Sequence, residues 1–71
     1  MPLDIPIRFG RALRRIGEEQ DINQEEAAKR CGLHRTYYSG IELGARNVSL
    51  VNIEKVAKGL KKSLAELFDH L

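Results

Sequence analysis

The sequence reads as an all-α, compact five-helix bundle, and three observations carry that reading. Strand-like alternation of apolar and polar residues is absent, Gly and Pro fall at short intervals, and good N-capping residues stand before successive apolar-periodic segments. With 71 residues, the chain has room for one domain and one core, spanning residues 1–71.

The first helix is expected over about Ile5 to Glu19. Asp4 is placed to cap it, Pro6 is tolerated in its first turn, and Phe9, Leu13 and Ile16, with Ala12 between, recur at i, i+4, i+7 spacing. Asn23 with Glu26 three residues on is an N-x-x-E variant of the capping box. It opens a short second helix, about 24–31, that ends at Gly32, a residue suited to the left-handed cap. After Leu33 and His34, a third helix covers about 35–42 and stops near Gly44. Two short helices joined by a tight Gly-containing turn form a helix-turn-helix, whose second helix can be offered to a DNA groove.

Ser49 caps a fourth helix, running to about Leu60, in which Leu50, Ile53, Val56, Ala57 and Leu60 form one apolar stripe. Ser63 with Glu66 repeats the capping box. The fifth helix carries Leu64, Leu67, Phe68 and Leu71, more apolar surface than one small core covers. A core of this size rarely supplies more than about 3–5 kcal/mol, so a surplus apolar face points to oligomerisation.

Composition excludes several classes. Hydrophobic residues at 42% and charged residues at 31% describe a globular chain. No apolar run approaches a membrane span, and the N-terminus lacks the pattern of a secretory signal, so a cytoplasmic location is expected. The single Cys31 supports neither an internal disulfide nor a zinc site and reads as a small core residue. His34 and His70 lie far apart with no Ser, Cys or carboxylate in a catalytic set, so no enzyme activity, metal, cofactor or small-molecule ligand is expected. A net charge of +2 with interspersed signs is unremarkable, so any argument for an anionic partner rests on position.

Position supplies one. The run Ile22-Asn23-Gln24-Glu25-Glu26-Ala27-Ala28, then Gly32-Leu33, Arg35-Thr36-Tyr37 and Ser39-Gly40-Ile41-Glu42 with Gly44, resembles the Xre-type helix-turn-helix family of the phage Cro and repressor N-terminal domains. The resemblance covers nearly the whole chain. Within the family, Arg35 through Glu42 followed by Arg46-Asn47-Val48-Ser49-Leu50 is similar to the controller proteins of restriction-modification systems. It implies a five-helix, phage-repressor-like DNA-binding domain that forms a homodimer through its fourth and fifth helices. The dimerisation region is then about 47–71, with Val51, Leu64 and Phe68 as interface candidates.

Carried over by residue, the resemblance makes Gln24 a phosphate ligand that also braces the recognition helix. Arg35, Thr36 and Ser39 face the major groove or its walls, Tyr37 meets a phosphate or base edge, and Arg46 and Asn47 approach DNA beside the recognition helix. The chemistry agrees: Arg binds the guanine O6/N7 pair bidentately, and Thr offers a hydroxyl and a methyl to thymine. Glu25, on the exposed side of the second helix, is a candidate contact for RNA polymerase. The implied function is an autoregulatory, homodimeric transcription regulator on a pseudo-palindromic operator, activating at low occupancy and repressing at high occupancy. The alternatives are a phage-type repressor, an antitoxin that represses its own operon, and a protein-interaction module without DNA binding.

Four positions depart from the family pattern. Gly17 removes an arginine that would pair with Glu42, Asp21 replaces a turn glycine, and His34 replaces a stronger cap. Tyr38 replaces a smaller aliphatic residue, so its ring must find extra room or push its hydroxyl to the edge.

Overall fold

The computed structural model describes residues 4–71, and the expected five-helix architecture holds. The described helices are α1 (Ile5–Glu19), α2 (Gln24–Cys31), α3 (Arg35–Glu42), α4 (Leu50–Gly59) and α5 (Leu64–Asp69). α1 packs across α3 and α5, α2 packs against α3 and α4, and α4 meets α5. Leu13, Ile16, Tyr38, Ile41, Val56, Leu60 and Leu67 fill the centre, so every helix except α2 contributes a fully buried large side chain. α2 contributes the small Ala27, Ala28 and Cys31, which let it lie close to its neighbours.

Capping follows the sequence signals in most places. Asn23 Oδ1 accepts from the Glu26 amide at 2.8 Å, and Ser49 Oγ accepts from the Asn52 amide at 3.2 Å. Ser63 and Glu66 form the complete reciprocal box. α2 ends at Gly32 with φ 67°, and Asp21 takes the left-handed turn at φ 56°, a region that Asp tolerates better than most residues.

Four local expectations need correction. Asp4 holds the N-cap backbone position but its side chain makes no capping bond, and Pro in the first turn removes one donor that would need satisfying. At Asn23 only half of the box forms, because Glu26 turns instead to Arg30, 3.0 Å away. Leu50 is 74% exposed, so the buried stripe of α4 is Val56, Ala57 and the capping Leu60, with Ile53 half-buried at its edge. Leu71 lies beyond the end of α5, half-buried against the core.

Two glycines set the crossings. A Cβ on Gly10 would run into the carbonyl oxygens of Ile41 and Glu42, and one on Gly59 would meet Cys31 Cα and Sγ at 2.6 Å. α1 therefore lies directly on the C-terminal end of α3, and α4 on the end of α2. The first crossing fixes the inner side of α3 while its other side faces solvent.

Candidate nucleic-acid interface

α2, the three-residue link Gly32–His34 and α3 form the helix-turn-helix. α3 is amphipathic over eight residues: Tyr38 and Ile41 are buried, while Arg35 and Thr36 are exposed and Tyr37 and Ser39 half-buried. The inward pair anchors the helix and leaves its first turn free to meet a partner. The N-terminus is only loosely capped, since His34 Nδ1 accepts from the Thr36 amide at 3.4 Å. Its free amides and positive end favour an anion.

The arginine of that first turn is not idle. Arg35 Nη1 lies 3.5 Å from Glu25 Oε2 across the α2–α3 angle, with both side chains more than half exposed. An exposed pair of this kind is worth little and is easily exchanged for another anion. The structure thus puts Glu25 beside Arg35.

Gln24 braces α3 from the other end. Its Nε2 donates to Glu42 Oε1 at 2.9 Å, tying the start of α2 to the last turn of α3 and leaving a second amide hydrogen. The bond engages one oxygen of the carboxylate that the resemblance pairs with an arginine at position 17. With Gly17 there, a hollow of about 320 Å³ remains, lined in part by Arg14, Gly17, Gln24 and Glu42.

Beyond α3, the loop carries Arg46 and Asn47, both exposed. The Arg46 guanidinium carbon sits over the Tyr37 ring, 5.5 Å from its centroid, within range of a cation–π contact. Among the described residues Arg46 has no carboxylate partner. The Tyr37 hydroxyl accepts from Asn52 Nδ2 of α4 at 3.1 Å. The sequence reading singled out Tyr37 and Arg46 but missed Asn52, a polar residue flanked by apolar ones on α4 that periodicity alone does not distinguish.

The residues expected at a dimer face divide in two. Val51 and Leu64 share one open hollow with Leu50 and Glu54, while Phe68 stacks on Phe9 of α1 with ring centroids 6.0 Å apart. Phe68 is therefore partly spent within its own chain, although it stays 40% exposed.

Burial pushes the Cys31 thiol up to about 11, leaving it neutral, and its Sγ donates to the Val56 carbonyl at 3.7 Å. Among the described residues, no group of His, Cys, Asp and Glu is placed to hold a metal, and no helix is long and apolar enough to cross a membrane.

A helix-turn-helix family model matches residues 11–67. The control protein C.MunI of Mycoplasma sp is 52% identical over 69 residues, covering 96% of this chain and 93% of that protein. The crystal structure of the restriction-modification controller protein C.AhdI from Aeromonas hydrophila superposes with a TM-score of 0.85 at 44% identity, over 89% of this chain and 96% of the other. The controller protein C.Esp1396I, crystallised as a tetramer with its natural 35 base-pair operator, superposes with a TM-score of 0.87 at 31% identity, over 96% and 90%.

Proposed function

The chain belongs to the Xre-type helix-turn-helix family, among relatives that are restriction-modification controller proteins, and we propose that it is a homodimeric, autoregulatory controller of such a system. The observation that carries the reading is the shared exposure of Arg35, Thr36 and Arg46 around an anchored α3. Two copies place two α3 helices in successive major grooves about 34 Å apart on a pseudo-palindromic operator. Arg35 exchanges Glu25 for a guanine edge, Thr36 meets the adjacent base, and Ser39 meets the groove wall. Gln24 and Tyr37 bind phosphates, which fix register without reading sequence. Arg46 and Asn47 extend the contact beside α3.

Val51, Leu64 and Phe68 form the dimer face, and the protein's own concentration is the input, acting through assembly and site occupancy. Low occupancy activates the operon, with Glu25 offered to RNA polymerase, and a second dimer represses it. The tetramer on the C.Esp1396I operator supports the two-dimer step.

Selection of random duplex DNA by the purified protein, with sequencing of the enriched pool, tests the reading. The expected result is a two-fold-symmetric site with half-sites one helical turn apart, bound with a steep loss of affinity as salt rises. A folded dimer that enriches no sequence overturns it.

A further inference from the structure

Gly40 stands in the last turn of α3, and glycine within a helix weakens it relative to alanine. No backbone crosses it, unlike Gly10 and Gly59. The three heavy atoms nearest to a Cβ built there all belong to one side chain: Arg46 Nε at 3.1 Å, Cγ at 3.2 Å and Cδ at 3.7 Å. The bare α carbon makes a slot for the stem of Arg46 and for nothing else. Tyr37, three residues earlier, lies on the same side of the helix, and its ring receives the guanidinium at the end of that stem. The ring is in turn held at its far end by Asn52 on α4.

The geometry points to Gly40 and Asn52 as positioning residues for DNA contact: Gly40 seats the Arg46 stem on α3, and Asn52 fixes the Tyr37 ring and hydroxyl on which the guanidinium rests. This rests on the DNA-binding reading above and adds to it two residues that act through Arg46 and Tyr37. An arginine in a loop ordinarily loses rotamer freedom when it binds, and one already laid in a slot loses less. Because the Tyr37 oxygen is occupied as an acceptor, its proton is free to be donated outward to a phosphate. The cluster joins α3, the loop and α4, so the arginine travels with the recognition helix.

The test uses the full chain and the duplex enriched by the wild-type protein. Gly40→Ala is expected to raise the melting temperature, because only the flexible Arg46 side chain must shift. It is also expected to weaken binding about two- to fivefold, the equivalent of one exposed cation–π contact. In an Arg46→Ala background, Gly40→Ala should still raise the melting temperature but cost no further affinity. Asn52→Ala should likewise weaken binding in the wild-type background and not in Tyr37→Phe, with the dimer intact by sedimentation.

Opposite signs on stability and affinity, together with loss of the affinity effect in the paired background, are what a merely structural role would not give. A lower melting temperature or a misfolded Gly40→Ala, additive losses in both cycles, or an Arg46→Ala protein that binds like wild type would each overturn the inference while the DNA-binding reading stands. Failure of the wild-type protein to enrich or bind any duplex would overturn both.

Discussion

The seam between α1 and α3 and the outer face of α4 and α5 are both apolar, yet one is closed by the chain itself and the other is left open. In the seam, Gly10 brings backbone against backbone, and Leu13, Ile16, Tyr38 and Ile41 are buried together. On the outer face Leu50 and Val51 are 74% and 66% exposed, and Leu64 and Phe68 each 40%. The difference separates two tasks. Holding α3 in place is completed within one chain, whereas the surplus on α4 and α5 is left exposed, as the face proposed above for the dimer.

Breaking the seam has the largest expected effect. Gly10→Ala puts a methyl into the Ile41 and Glu42 carbonyls, which cannot move without shifting α3. Overpacking against backbone costs about 3 kcal/mol or more, comparable to the whole stability expected of so small a core. Urea unfolding should show the loss as a lower midpoint, and a midpoint equal to that of the wild type would mean that the crossing is looser than described.

The open face should break differently. Val51→Glu is expected to leave the fold intact, because the side chain is exposed, and to give monomers by sedimentation. Affinity for the two-half-site duplex should then fall about 100-fold or more, since the second half-site is no longer held near the first. Val51 makes a cleaner probe than Phe68, whose stack on Phe9 would also be disturbed. A dimer that survives the change would move the interface elsewhere.

A third substitution sharpens the account of the seam. The Tyr38 ring finds room in the centre, but its hydroxyl is buried there without a hydrogen-bond partner, and burial pushes its pKa above the usual phenol range. A buried hydroxyl left unsatisfied costs more than a methylene-like edge. Tyr38→Phe should therefore stabilise the protein by about 1 kcal/mol, read from the urea midpoint. A destabilised variant would reveal a partner for the hydroxyl.

These positions mark where sequence reasoning runs out. Helix starts at Asn23, Ser49 and Ser63 and the stop at Gly32 are legible because each cap is a bond between residues three or four apart. Exposure of Arg35 and Thr36 follows from the family resemblance and not from periodicity, since Arg35 stands at i, i+3 spacing with the buried Tyr38 and Ile41. The roles of Gly10, Gly40 and Gly59 are not legible, because each is decided by a neighbour 6 to 32 residues away that the local pattern does not name. Leu50 was misplaced for a related reason: an apolar stripe does not say which of its members faces a core and which faces a partner. At Glu42, the missing arginine and the bracing role of Gln24 were legible from the resemblance, but that Gln24 meets the Glu42 carboxylate itself follows only from how α2 meets α3.

The smallest expected effect joins the two regions through pH. Glu66 Oε1 accepts from the Ser63 amide at 2.9 Å while Ser63 Oγ accepts from the Glu66 amide at 3.0 Å. The bond from the Ser63 amide, helped by the Ser63 side chain and by Lys62, holds the Glu66 carboxyl below its ordinary value of 4.5. A carboxylate whose folded pKa is depressed stabilises the fold above its unfolded pKa, and the contribution is lost as pH falls through the lower folded value. Acidification below about pH 4.5 should therefore loosen the start of α5, which carries Leu64, before it affects the α1–α3 seam. Dimer dissociation by sedimentation should set in at higher pH than loss of helicity, and Glu66→Gln should remove its own share of that pH dependence. Simultaneous loss of dimer and helix on acidification would show that the open face and the closed seam are one cooperative unit.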